Sequence, residues 1–214
     1  MNKKIPQDQL QKYEDLRKRI SGNHNQIKIT GKEKRTAEPS HVSLNFSIDT
    51  ALWPGIMDIV GRLEKEDPGH EYIYPSAFHC TLKLCSENNL PETIAKVSKV
   101  LKNFKPFEVV LRGLNSFTTN AFIQVFSEDG KLFDLHDLLN GVIPSGEPEF
   151  ERENYIPHVV EIYYYHKPDK LFSVLDEYKD TLIGKMKVDK INLIRGVPSL
   201  FVRRIETIKT FQLK

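Results

Sequence analysis

Two histidines stand at the entry of β-prone runs, Phe78-His79-Cys80-Thr81-Leu82-Lys83-Leu84 and Tyr155-Ile156-Pro157-His158-Val159-Val160-Glu161-Ile162. Imidazole titrates near neutrality, so a pair of them suits proton transfer, one ring accepting while the other donates. Successive side chains of a strand point to opposite faces, which predicts His79, Thr81 and Lys83 on one face and Cys80, Leu82 and Leu84 on the other. The second face is wholly apolar and belongs to a core. The first offers an acid/base, a hydroxyl and an ammonium, a set able to hold a phosphate. In the second run His158, Val160 and Ile162 are predicted to share a face, although Val159 is apolar too and the pattern does not sort the faces. A lone H-x-T is nearly uninformative. The pair carries the signal, each histidine following an aromatic or proline entry.

The elements that must position these histidines alternate in type. Leu10, Tyr13, Leu16 and Ile20 recur at helical spacing over Gln7 to Ile20, and Ser21-Gly22-Asn23 stops that helix. Lys28 to Ser40 is polar and charge-rich, a linker. The predicted body then runs strand 41–48, helix 51–66, strand 77–84, helix 90–103, strands 107–111 and 121–126 around a Gly113-Leu114-Asn115-Ser116 turn, and helix 131–140. A loop follows at 144–148, then a strand from His158 to Tyr165, a helix 169–180, and strands 187–194 and 205–213. The order of a histidine strand, a helix and two strands occurs twice, from His79 and from His158. The sum is an α+β chain with mostly antiparallel sheets, divided into an N-terminal helix and linker (1–39) and a body (40–214).

Bulk properties exclude several classes. The 214 residues, 39% hydrophobic, suffice for one compact domain or two fused lobes. Thirty-one basic against 29 acidic residues leave a net charge of +2, so affinity for a polyanion has to come from local placement of charge. The first residues form no secretory signal, and no apolar run reaches membrane-spanning length. Cys80 and Cys85 lie roughly 16 Å apart along a strand, too far for a disulfide, and free thiols fit a reducing cytoplasm. No CxxC, HExxH or carboxylate box predicts a metal site.

These residues resemble the 2H phosphoesterases, in particular the LigT-like 2′-5′ RNA ligase and RNA 2′,3′-cyclic phosphodiesterase group. That family carries two H-x-[ST]-hydrophobic motifs, commonly HITLKFLGE and PHVTLAR; here stand His79-Cys80-Thr81-Leu82-Lys83-Leu84-Cys85-Ser86-Glu87 and Pro157-His158-Val159-Val160-Glu161-Ile162. Phe107 to Leu114, Leu132 to His136 and Phe211 to Leu213 also look like family segments, so the resemblance covers Ser40 to Leu213. His41-Val42-Ser43-Leu44 satisfies H-x-S-hydrophobic as well, but the spacing and the Pro-His entry favour His158, and His41 is expected to be an exposed strand start.

The resemblance implies a bilobal fold of two mostly antiparallel sheets facing a central groove, with helices outside and His79 and His158 facing across it. It implies metal-independent hydrolysis of 2′,3′-cyclic phosphate ends of RNA or nucleotides, one histidine as base and one as acid, without a cofactor; the sequence leaves the oligomeric state open, with a monomer favoured. Family precedent makes the product a 2′-phosphate. Thr81 would hold a phosphate oxygen, and Lys83, with Arg195, Arg203 or Arg204 as weaker candidates, would offset charge. Val160 is the departure, because the second motif should offer a hydroxyl there, and a lost preorganised donor costs about 10² to 10³ in rate. Two rival readings follow: a nucleotide- or RNA-binding module of the same fold without efficient chemistry, and a scaffold using the Gln7 to Ile20 helix to bind a partner.

Overall fold

A computed structural model describes residues 6–21, 26–29, 41–143, 154–197 and 204–214. The helices among them are α1 (Gln7–Ser21), α2 (Trp53–Glu66), α3 (Leu90–Leu101), α4 (Lys131–Asn140) and α5 (Leu171–Glu177). The strands are β1 (His41–Ser47), β2 (Glu71–Tyr72), β3 (His79–Cys85), β4 (Phe107–Ser116), β5 (Asn120–Phe126), β6 (His158–Tyr163), β7 (Leu182–Val188), β8 (Lys190–Val197) and β9 (Arg204–Gln212). The expected polar stretch 30–40 and the loop 144–148 lie outside the described residues.

Every strand pairing is antiparallel, and the strands form a single sheet in the order β7-β4-β5-β6-β3-β1-β8-β9, with β2 on β6. This corrects the expectation of two sheets. The halves join where Cys80 of β3 pairs with Val159 of β6, so the two histidine strands are central neighbours. A doubled order is visible outward from that seam: β5, β4, β7 on one side and β1, β8, β9 on the other. In each half a helix connects the histidine strand to its outer neighbour, β1-α2-β3 and β5-α4-β6.

One face of the sheet carries the main core. Ile56, Ile59, Val60 and Leu63 form the apolar stripe of α2, at the i, i+3, i+4, i+7 spacing of a helix that buries one side. With Val97 and Leu101 of α3, Leu132, Leu135 and Leu139 of α4 and Leu171, Val174 and Leu175 of α5, they cover Leu44, Phe46, Cys80, Leu82, Ile123, Val125 and Val159. No helix among the described residues is long and apolar enough to cross a membrane.

The opposite face receives α1. Tyr13, Leu16 and Ile20 pack on Val110, Phe122 and Phe126 of β4 and β5, all six buried. Three such side chains contribute roughly 5–9 kcal/mol of transfer free energy before the entropy of ordering the helix. Polar contacts fix the register. The Tyr13 hydroxyl donates to the Pro157 carbonyl and accepts from the Val125 N–H at 3.2 Å, the Gln9 side-chain amide exchanges two hydrogen bonds with the Ser127 backbone at 3.0 and 3.1 Å, and Arg17 donates to the Leu114 carbonyl at 2.6 Å. A helix held this way is part of the body's packing, which removes the basis for a detachable partner-binding arm.

Two elements differ from their sequence prediction. Gly113-Leu114-Asn115-Ser116 is not a turn: β4 runs on to Ser116 and the chain reverses after it, at residues 117–119. Gly113 instead sits in a bulge, where two residues of β4 oppose Gln124. Its φ is +76°, and a Cβ there would lie 2.0 Å from the Lys179 carbonyl oxygen, so only glycine fits. The single predicted strand 187–194 is two strands, β7 and β8, meeting at Asp189. In β7 the alternating Lys185 and Lys187 and an exposed Leu182 hide the apolar pattern, as is common at a sheet edge.

Candidate active site

The seam between the halves sets the geometry. Flanking residues of an antiparallel pair oppose one another in turn. With Cys80 opposite Val159, His79 falls beside Val160 and Thr81 beside His158, all on the face away from the main core. The two histidines are therefore diagonal neighbours, a position that sheet geometry sets at about 7–8 Å. Each ring is fixed by the same device. His79 Nδ1 lies 2.6 Å from the Ala77 carbonyl and His158 Nδ1 lies 2.7 Å from the Ile156 carbonyl. A carbonyl only accepts, so Nδ1 carries the proton in both rings, and in the neutral form Nε2 holds the lone pair.

The shared face ends at Thr81 and Val160, because a bulge follows each motif at the same place. Opposite β1, Asn45 pairs with Thr81 and Leu44 with Lys83, leaving Leu82 unpaired. Opposite β5, Phe122 pairs with Val160 and Ala121 with Ile162, leaving Glu161 unpaired. One extra residue inverts the alternation beyond it. Lys83 thus leaves the predicted histidine face. It is fully buried on the helix side, opposite Leu44, and donates from Nζ to Asn140 Oδ1 of α4. Leu84 takes the histidine face opposite Ser43, and Ile162 turns into the core beside Ala121.

The environments of the two rings differ. His158 is packed against Phe117 and Phe122, with ring centroids 4.9 and 5.2 Å away, and the two phenylalanines stack on each other at 4.4 Å. Burial among these rings lowers its pKa, and the hydrogen bond to Ile156 opposes that only in part, so His158 stays neutral further into the acid range. His79 stands beside Ser47 of β1, whose hydroxyl accepts from Asn192 Nδ2 at 3.2 Å. The strands are cross-braced beneath. Tyr155 donates to the Thr81 carbonyl at 2.9 Å and stacks on His136 at 3.9 Å, so the entry to the second motif holds the backbone of the first.

The remaining candidates lie elsewhere. His41 does begin β1, but it is half-buried rather than exposed, and it is six residues, about 20 Å, from Ser47, the partner of His79. Arg195 pairs with Val42 on the helix side and is engaged by Glu87 at 2.6 Å and Glu206 at 2.9 Å, which assigns it to surface ion pairing. Arg203 and the side chain of Arg204 lie outside the described residues. Cys80 and Cys85 are free, and burial pushes the Cys80 thiol up to about 12 and the Cys85 thiol up to about 11, so neither is a nucleophile near neutrality.

Asp67, His70 and His166 have side-chain atoms close enough to surround a cation. The Tyr165 backbone N–H donates to His70 Nδ1 at 3.2 Å, so neutral His70 carries its proton on Nε2, the atom that faces Asp67 at 3.4 Å. A metal would need the lone pair there. The trio fits a clasp between the end of α2 and the end of β6 better than a ligand set.

Sequence reasoning missed the surroundings of His158. Phe117 and Phe122 carry no signal as partners until the β4–β5 turn and the register of β5 on β6 are known. It also set α1 apart from the site. In the structure α1 walls a cavity of about 690 Å³ that reaches His158, with Lys12, Asp15 and Arg19 on one side and Phe117 and Asn154 on the other. The apolar stripe of α1 was visible in sequence, but not the face on which it docks.

Comparison with known proteins agrees with this architecture. Residues 17–197 match the family described as the 2′-5′ RNA ligase superfamily. An RNA 2′,3′-cyclic phosphodiesterase of Methanothermobacter thermautotrophicus is 25% identical over 168 residues, which cover 72% of this chain and 88% of that protein. The fold is similar to a protein of Thermus thermophilus (TM-score 0.64, 17% identity, 81% of this chain and 97% of that one). It is also similar to E. coli LigT complexed with 3′-AMP (TM-score 0.59, 12% identity, 83% and 99%).

Proposed function

The chain belongs to the 2′-5′ RNA ligase superfamily, and from that premise we propose that it is a phosphodiesterase that hydrolyses 2′,3′-cyclic phosphate ends of RNA or nucleotides by paired-histidine acid/base catalysis. One observation carries the reading: two imidazoles on adjacent central strands, on one face, each with Nδ1 committed to a backbone carbonyl two residues earlier. That fixes the orientation of both rings, so a phosphate between them would be met by their Nε2 atoms. The name of the Methanothermobacter relative supports the same activity.

In this mechanism His158, kept neutral by burial, takes a proton from water as the water oxygen bonds to phosphorus. The bond from phosphorus to the 3′-oxygen breaks, and His79, entering the step as the imidazolium, delivers its Nε2 proton to that oxygen, leaving a 2′-phosphate, His79 neutral and His158 protonated. Thr81, beside His158, donates to a nonbridging oxygen. Lys83 has no part, being bonded to Asn140 on the helix side. Val160 favours a second reading, a nucleotide-binding module of the same fold that turns over slowly, since valine has no proton to give the phosphate.

Purified chain is incubated with a 2′,3′-cyclic nucleotide in the presence of a chelator, and the phosphate isomer is identified. A 2′-phosphate should form, and His79→Ala and His158→Ala should each lose about 10³-fold or more in rate. Full activity in either variant overturns the assignment. Tight binding without conversion by the intact chain selects the second reading.

A further inference from the structure

The cavity beside His158 is walled by a helix that does not belong to the sheet halves carrying the histidines. Helix α1 presents Lys12, Asp15 and Arg19, at spacings of three and four residues, as one stripe toward that cavity. The neighbouring stripe of the helix, Tyr13, Leu16 and Ile20, lies about 100° round from it and is buried on the sheet, so the charged stripe is held in place. Lys12 and Arg19 stand about 10 Å apart along the axis, and Asp15 between them accepts from Gln11 at 2.7 Å. The stripe keeps one net positive charge. Across the cavity, Phe117 has one face stacked on Phe122 and is itself only half-buried, with the ring bordering the open space.

An aromatic face opposite a pair of cations, opening onto a reacting centre, is the arrangement that binds a nucleotide in a single strand: the base stacks and the phosphate is neutralised. We propose that this cavity is a subsite for the penultimate nucleotide of a single-stranded RNA, with its base on Phe117 and its phosphate toward Arg19 and Lys12. The subsite rests on the reading of the site as one for RNA cyclic ends. In such a substrate the rest of the chain extends only upstream of the terminal nucleotide, so a cavity adjoining His158 is filled by an oligonucleotide and left unfilled by a mononucleotide. Helix α1 then confers a preference for RNA ends over free cyclic nucleotides.

The test is binding, separate from turnover. Fluorescence anisotropy of the full chain with a labelled RNA tetranucleotide ending in a 3′-phosphate, competed by a 3′-mononucleotide, should show the tetranucleotide bound at least about fivefold tighter. Arg19→Glu should weaken tetranucleotide binding about tenfold and flatten its salt dependence, whereas Lys18→Glu, the same charge change at an exposed residue of α1 that does not line the cavity, should leave it at the wild-type value. Equal affinity for the two ligands, or equal effects of the two variants, overturns the subsite. A loss specific to Arg19→Glu in a chain that converts no cyclic end upholds the subsite and overturns the catalytic reading instead.

Discussion

The two histidine strands, β3 and β6, are copies in backbone and unlike in chemistry. Each places a histidine whose Nδ1 bonds the carbonyl two residues earlier, and each bulges at the third residue after it, at Leu82 and at Glu161. The residue two after the histidine is Thr81 in one and Val160 in the other. Each histidine faces a polar residue across the sheet, Ser47 for His79 and Gln124 for His158, but at His158 two phenylalanine rings pack on the imidazole as well. A doubled backbone thus supplies the pairing, and in the proposed mechanism the departures from the doubling would supply the division of labour. An acid and a base need different pKa values, which two identical environments would not provide.

Short of removing either histidine, the largest effect should come from erasing the chemical difference between Thr81 and Val160. Thr81→Val makes both motifs alike and removes the one hydroxyl beside the histidines that a motif supplies. We expect kcat for a 2′,3′-cyclic nucleotide to fall about 10² to 10³-fold, with circular dichroism unchanged. A drop below threefold would mean that Thr81 touches no developing charge, and the contrast between the motifs would lose its meaning for catalysis.

A second asymmetry concerns the bulged residues. Leu82 is buried and apolar, whereas its counterpart Glu161 is buried with neither carboxylate oxygen partnered among the described residues, and burial raises its pKa well above the usual carboxylate range. A raised carboxyl costs nothing below the unfolded pKa, where both states are protonated. Above it the unfolded chain ionises and the folded one does not, so stability is drained as pH rises toward the folded pKa. Glu161→Leu, matching Leu82, should stabilise the fold by about 1–3 kcal/mol at pH 7 in denaturant titrations, with a smaller gain near pH 4. A loss of stability, or a gain independent of pH, would place that carboxyl in a hydrogen-bonded role.

Those bulges also mark where the sequence stops being legible. Strict alternation reads correctly from His79 to Thr81 and from His158 to Val160, and fails one residue later in both strands. Nothing in Leu82-Lys83 or Glu161-Ile162 announces an extra residue, since a bulge is specified by the register of the partner strand. Lys83 is therefore misplaced by its pattern, as an ammonium facing water when it is a buried donor to Asn140. The order of helices and strands was readable because α2, α3 and α4 carry clean apolar stripes. The continuity of the sheet was not, because it rests on the Cys80–Val159 pairing between strands 79 residues apart in the chain. For the same reason the docking of α1 beside His158 could not be anticipated from its amphipathic stripe.

Restoring the missing hydroxyl is the reverse of the first experiment and a smaller change. Val160→Thr keeps the shape of the side chain and sets a hydroxyl beside His79, where the first motif has its own beside His158. A rise in kcat of up to about tenfold is expected, against a stability cost of about 1 kcal/mol for a partly buried hydroxyl. An unchanged rate would show that another donor already serves the phosphate.

The smallest expected effect isolates the aromatic packing. Phe117→Ala removes one of the two rings that keep water from His158, so its pKa should move back up toward the ordinary histidine range. Two consequences follow with opposite visibility. The acid limb of the rate profile, set by protonation of the base, should shift to higher pH. Stability should become less sensitive to acid: a histidine whose folded pKa is depressed supports the fold fully above about 6.5, its unfolded value, and loses that support as pH falls through the window down to the folded pKa. Raising the folded value narrows that window. A narrower window without a shifted limb would mean that the titrating base is not His158, and since His79 is the other motif histidine on this face, the acid and base assignments would then exchange.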